Sequence, residues 1–209
     1  MIDFDRALEQ SSRNYWGLSQ VGDCQRKRTF IEHPDYEPEI FDANTIRIFQ
    51  FGHKVEELLA EEIRQRGHEL TDQQAKVEWC NRIGHIDGVI DGDILWECKS
   101  MNSSAFNGWP KVPGLINAGV YQKYPHYYAQ IQAYMNGMGL SRALFTGLNK
   151  DNSVIYQEII PYDDYESLRL YKDIHIVNRY CENQELHPIP DWVTWHCRYC
   201  NYKKVCKEG

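Results

Sequence analysis

Residues Gly84 to Lys99 constrain this chain more than any other stretch. They read Gly-His-Ile-Asp-Gly-Val-Ile-Asp-Gly-Asp-Ile-Leu-Trp-Glu-Cys-Lys. Two runs rich in Ile, Val, Leu and Trp flank Asp91-Gly92-Asp93, which marks a hairpin with strands near 83–90 and 94–100. A loop centred on Gly92 pairs Asp87 with Glu97. Side chains alternate along a strand, so Glu97 and Lys99 share a face and Cys98 points away. Asp87, Glu97 and Lys99 then meet on one patch of sheet. A two-residue turn would slip the pairing by one and separate them.

Two facing carboxylates repel each other unless a cation stands between them, and hard oxygen donors suit Mg2+ or Mn2+. A metal held there activates water and neutralises charge on a phosphate oxygen, while an adjacent lysine stabilises the transition state. The plainer alternative is a charged pair on a solvated face, with Lys99 bridging both acids. Ile86, Val89, Ile90, Ile94, Leu95 and Trp96 weigh against it. Strands this apolar are buried, and buried charges require partners or metals.

Around the hairpin the order reads α-β-β-β-α-β-β-α, a mixed α/β class with a central sheet built largely from hairpins. Residues 1–42 form a helical or irregular lead-in, interrupted by Pro34 and Pro38. A long helix runs from Asn44, its N-cap, to Arg66 and stops at Gly67. A strand near 76–80 precedes the hairpin. Residues 101–123, rich in Gly, Pro and Asn, form a long loop, which in a compact domain is usually functional. A second helix covers Tyr124 to Met138 and is ended by Gly137 and Gly139. Strands near 142–148 and 153–160 and a helix near 162–182 follow, and 186–209 has no periodicity. No repeat or linker divides the chain, so one domain over 1–209 is expected, with its core at about 44–160.

With 42% hydrophobic and 25% charged residues, the 209-residue chain has the composition of a folded globule. No apolar run approaches the ~20 residues that span a bilayer. The opening Met-Ile-Asp-Phe-Asp-Arg has no signal-peptide pattern, so a cytoplasmic protein without a membrane partner is expected. Net charge is −7, against a binder held by bulk positive charge. Yet Cys24–Arg28 and Cys197–Lys207 hold seven Lys and Arg and no acid, either a local grip on phosphates or a solvated rim.

Asp87 followed by Glu97-Cys98-Lys99 resembles the D…ExK signature of the PD-(D/E)XK nuclease superfamily, and its surroundings resemble the RecB-like branch. There a Gly-x-x-x-His-type helix precedes the sheet and its histidine joins the metal. Phe51-Gly52-His53 sits in the corresponding helix, with Gly and His adjacent. Gln130-Ile131-Gln132-Ala133-Tyr134 matches the branch's Gln-x-x-x-Tyr motif, and positions i and i+4 lie on one helical face. The resemblance implies a restriction-endonuclease-like core, a mixed central sheet flanked by helices. It also implies a metal-dependent DNA nuclease, with a divalent ion held by His53, Asp87, Glu97 and the backbone carbonyl of Cys98. Lys99 would assist the attack, with Gln130 and Tyr134 completing the site. Each helper has a plainer reading: His53 as a surface or core histidine, Gln130 and Tyr134 as interior polar groups. His85, two residues from Asp87, should share its face and either contact substrate or bond nearby.

Seven cysteines without an export signal point to a reducing compartment. Cys197-x2-Cys200-x5-Cys206 is spaced like metal ligands, for zinc or an iron–sulfur cluster. Three ligands leave a position open, for which Cys24 is the best candidate. The segment Ser19-x4-Cys24-Gln25-Arg26-Lys27 resembles the upstream cysteine of iron–sulfur RecB-like nucleases, among them the CRISPR-associated adaptation nuclease. That likeness implies a 4Fe–4S cluster on Cys24, Cys197, Cys200 and Cys206, clasping segments 19–28 and 186–209. Zinc is the rival occupant. Cys80, Cys98 and Cys181 read as packing residues.

Between Asn107 and Tyr128, Trp109, Tyr121, Tyr124, Tyr127 and Tyr128 alternate with Lys111 and Lys123, a pattern suited to stacking unpaired bases or to pinning a loop. The expectation is an exonuclease acting on DNA ends or single strands, similar to phage-encoded members of the family. Recombination or helicase partners stay unidentified. The alternatives are an RNA nuclease and a non-catalytic iron–sulfur or zinc DNA-binding scaffold.

Overall fold

The computed structural model describes residues 13–108, 118–190, 197 and 200–208. Its centre is a five-stranded mixed sheet. In spatial order the strands are β1 (Leu70–Thr71), β4 (Gly88–Ile90), β5 (Ile94–Met101), β6 (Arg142–Asn149) and β7 (Ile155–Pro161). β5 and β6 are parallel and the other neighbours antiparallel. A separate two-stranded ribbon is formed by β2 (Lys76–Trp79) and β3 (Arg82–His85). The mixed α/β class is as expected.

The hairpin has the anticipated register. Gly88 pairs with Trp96, Val89 with Leu95 and Ile90 with Ile94 across Asp91-Gly92-Asp93. The turn needs left-handed backbone at Asp91 (φ 50°) and Gly92 (φ 78°), which glycine adopts without a steric penalty. The expected strand over 83–90 is nevertheless two strands. At Ile86 the backbone bonds to Gln74 and Ala75 instead of to β5, so β3 joins the ribbon and β4 joins the main sheet. The break ends the alternation that would have put His85 beside Asp87. His85 is exposed opposite Lys76.

Helix α2 (Ala43–Gln65) covers one sheet face. Its cap is Asp42, whose carboxylate accepts from the Thr45 N–H at 2.7 Å, and not Asn44, which lies inside the first turn. The stripe Val55, Leu59 and Ala60 packs on Ile90, Trp96, Cys98 and Leu148. The other face carries α5 (Pro125–Met138), whose Ile131, Ala133, Tyr134 and Met135 meet Leu95, Ala143, Phe145 and Ile160. Proline at its first position needs no N–H partner. The helix ends at Gly139, which has φ 68°, while Gly137 lies within it. A Cβ at Gly137 would stand 2.3 Å from Val77, so this glycine permits close packing on β2 and does not stop the helix.

Helix α6 (Asp164–Glu182) backs α5 through Leu170, Ile174 and Val177. The stretch 101–123 holds two short helices, α3 (Ser103–Phe106) and α4 (Ala118–Lys123). Trp109 and Lys111 lie outside the described residues. Near the two ends, α1 (Gln25–Glu32) meets the residues just before α7 (Lys203–Glu208). Tyr202 stacks on Phe30 at 5.3 Å between centroids, and the Glu39 N–H donates to the Asn201 carbonyl at 2.8 Å. Arg28 fastens α1 to α6 through Asp173 at 2.5 Å. Among the described residues, no helix is long and apolar enough to cross a membrane.

Candidate active site

β5 projects Glu97 and Lys99 from one sheet face and Trp96 and Cys98 from the other, as the two-residue period requires. Glu97 is fully buried. Its Oε1 accepts from Gln130 Nε2 of α5 at 2.7 Å and from Lys99 Nζ. Its Oε2 is buried with no hydrogen-bond partner. Asp87, at the bend before β4, accepts through Oδ2 from the Cys98 N–H at 2.7 Å. The sheet and α5 thus bring together Asp87, Glu97, Lys99 and Gln130, all four anticipated from sequence.

The electrostatics are those of an acid-rich pocket short of positive charge. Burial pushes Glu97 up to about 8; Lys99 opposes this, and Asp87 adds to it. Asp87 is raised by burial as well, against the pull of Lys99 and of the Cys98 N–H. Burial works against the Lys99 ammonium, yet Glu97 and Asp87 outweigh it and raise its pKa. Lys99 is therefore a fixed cation.

Tyr134 is buried one turn beyond Gln130 and lies over Gly84, where a Cβ would stand 2.5 Å from its ring. Burial and then Glu97 raise its phenol, while a hydrogen bond with Gln130 acts in the opposite direction. It meets the site through Gln130. Cys98 faces away into the α2 core, and burial pushes its thiol up to about 12. The backbone N–H of Cys98 ties it to the site through Asp87.

α2 contributes an acid that the sequence reading passed over. Glu56 lies four residues after Gly52, where the Gly-x-x-x-His pattern has its ligand. Its side chain is 15% exposed. Gln74 Nε2 donates to it at 2.7 Å, and burial and then Asp87 raise its pKa. His53 is 72% exposed, with Nδ1 3.8 Å from Glu56 Oε2. The signal for Glu56 was its position directly after buried Val55 and three before buried Leu59, on the inner side of the helix.

Among the described residues, no three His, Cys, Asp or Glu side chains stand closely enough to complete a metal-binding group. The donor chemistry nonetheless fits a hard divalent cation. Asp87 and Glu97 are oxygen donors held by the fold, and one buried Glu97 oxygen has no partner. Lys99 is the internal counterion to these acids.

Cys24, Cys200 and Cys206 are partly buried, and both Cys24 and Cys206 lie within electrostatic reach of Cys200. Burial chiefly raises Cys200, and charge on Cys24 and Cys206 raises it further. The ends of the chain thus bring three of the expected four thiols to one region without forming a closed ligand set. Cys197 is described and partly buried, but its neighbours 191–196 and 198–199 lie outside the described residues.

No protein-family model and no curated protein matches the sequence. The fold is similar to that of an alkaline exonuclease from Laribacter hongkongensis, LHK-Exo, with TM-score 0.59 and 15% identity over 82% of this chain and 89% of that one. The same enzyme in complex with dAMP gives 0.57 and 15% over 94% and 95%. A phage-related exonuclease from Haemophilus somnus 129PT gives 0.57 and 13% over 81% and 94%. At such identities the likeness is one of fold.

Proposed function

We propose that this chain is a Mg2+- or Mn2+-dependent DNA nuclease, working as an exonuclease on ends or single strands. The half-satisfied Glu97 carries the reading: one oxygen is taken by Lys99 and Gln130 and the other is buried without a partner. A buried polar atom left this way is costly unless a ligand meets it. Asp87 and Glu97 would hold the ion, with Glu56 and His53 bordering it from α2. A divalent cation bound there supplies charge neutralisation and an acidified water at phosphorus.

The chain's own residues supply the rest. The Cys98 N–H and Gln130 fix the two carboxylates, so little reorganisation is needed as charge develops. Lys99 stays protonated and meets the negative charge that builds on the phosphoryl oxygens. Water oxygen bonds to phosphorus, the bridging P–O bond breaks, the water's proton passes to solvent and the leaving oxygen gains one. The exonuclease assignment draws on the names of LHK-Exo and the Haemophilus somnus protein, and the LHK-Exo complex with dAMP supports DNA as the proposed substrate.

Cys24, Cys197, Cys200 and Cys206 are proposed to hold a 4Fe–4S cluster, with zinc as the rival. Its part would be to clasp the chain ends, for which the Phe30–Tyr202 and Glu39–Asn201 contacts already bring α1 and the last segment together. The test of the nuclease reading is digestion of end-labelled single- and double-stranded DNA, with RNA alongside, in Mn2+ and in excess EDTA. Stepwise shortening from ends in Mn2+ alone is expected. Intact substrate in Mn2+, or equal cleavage in EDTA, overturns the reading.

A further inference from the structure

Lys99 touches two things in this site, the Glu97 carboxylate and the face of an aromatic ring. Its Nζ lies 5.2 Å from the ring centroid of Tyr127. Tyr127 is three residues before Gln130 on α5, so one helical face presents both side chains to the β5 pair.

The ring is held on several sides. It stacks on Phe145 at 6.2 Å and 26°, and the His126 ring lies 4.1 Å from it. The turn at Gly22 presses on the same stretch of α5. A Cβ at Gly22 would stand 2.5 Å from His126 Cα and 3.0 Å from Ala129 Cβ. Burial raises the Tyr127 phenol, so Lys99 faces a neutral ring.

Lysine is a point charge on a four-carbon stem, and a single carboxylate leaves it free to swing. Gln130 and Lys99 already share Glu97 Oε1. Were Glu97 to hold a cation, its ion pair with Lys99 would weaken just when Lys99 is needed at the phosphate. The ring face still attracts the ammonium then, most strongly where water is excluded.

We infer that Tyr127 is the positioning residue for Lys99, its ring face holding the ammonium over the site once Glu97 is engaged. This rests on the hydrolytic reading of the site. Its test compares Tyr127→Phe, Tyr127→Leu and a series of phenylalanines of rising fluorination at position 127. Fluorination nearly preserves shape while draining the negative ring face.

The expected result is Phe within about threefold of the parent, and Leu at least tenfold slower in kcat with KM within about twofold, since the interaction acts on the step and not on binding. The rate should fall stepwise with fluorination at unchanged melting temperature. Independently of activity, the Lys99 ε-methylene NMR signals should be shifted upfield by the ring in the parent and relax in the Leu variant. A flat fluorine series overturns the inference, as does a Phe variant as slow as Leu or a Leu variant as fast as the parent. Those outcomes leave the nuclease reading standing, whereas a parent that cleaves nothing overturns both.

Discussion

The backbone N–H of Cys98 donates to Asp87 Oδ2 at 2.7 Å, so the residue between Glu97 and Lys99 anchors the third charged member of the site. Alternation sends the Cys98 side chain into the α2 core while its flanking neighbours face α5. One strand thus supplies a carboxyl group, a cation and a backbone donor within three residues. Shifting the hairpin by one would break all three relations together.

Glu97→Gln tests the metal reading directly. The amide keeps the shape and an acceptor for Gln130 but removes the charge that would hold the cation. Turnover should fall to background while DNA affinity changes little, measured by single-turnover cleavage and by fluorescence anisotropy. Undiminished cleavage by this variant would falsify the site assignment.

The same residue gives the metal-free protein a pH signature. An acid raised in the folded state keeps its proton longer there than in the unfolded chain. Between the ordinary glutamate range and about 8, folded Glu97 therefore binds more protons, and stability falls as pH rises through that window. The slope for one such group is at most about 1.4 kcal/mol per pH unit. Denaturant midpoints in EDTA should decline from pH 5 to 8, less steeply in Glu97→Gln. Saturating Mn2+ should flatten the parent's decline, because a bound cation favours the ionised acids.

Legibility of the site followed the range of the interactions. Glu97, Lys99 and the Gln130–Tyr134 pair were readable because strand and helix periods are local rules. The Asp87 register was readable because the three-residue turn at Gly92 sets it. Glu56 was not. It sits in the run Glu56-Glu57-Leu58-Leu59-Ala60-Glu61-Glu62, which resembles a solvated charged face, and the groups that act on it, Gln74 and Asp87, lie 18 and 31 positions away. The break before Asp87 was hidden for a similar reason. Ile86 is a good strand residue, and only its bonds to Gln74 and Ala75 turn the chain from ribbon to sheet.

The cysteine proposal predicts a brown protein on anaerobic isolation, with broad absorbance near ~400 nm from thiolate-ligated iron. Cys24→Ala and Cys200→Ala should lower metal content and melting temperature alike, because each removes one ligand of the same clasp. Colourless protein with stoichiometric zinc would replace iron by zinc and keep the clasp. Equal stability of both variants and the parent, without bound metal, would remove the clasp altogether.

Lys99 separates a structural ion pair from a catalytic cation. Its side chain is 24% exposed while Glu97 is fully buried, so water reaches the lysine side of the pair first. Lys99→Ala leaves Glu97 with Gln130 as its remaining partner on Oε1, and the carboxyl then keeps its proton to higher pH. That protonation limits the structural loss, because a neutral buried acid costs far less than a bare carboxylate. Melting temperature near pH 6 should therefore change little. Cleavage should not recover so easily, since the cation acts on charge that appears only at the barrier. Removing one well-placed electrostatic donor costs about 10²–10³ in rate, or roughly 2.7–4 kcal/mol. The expected pattern is near-normal folding and DNA affinity with cleavage slowed at least ~100-fold. A clear fall in melting temperature with cleavage within about threefold of the parent would make Lys99 a structural counterion.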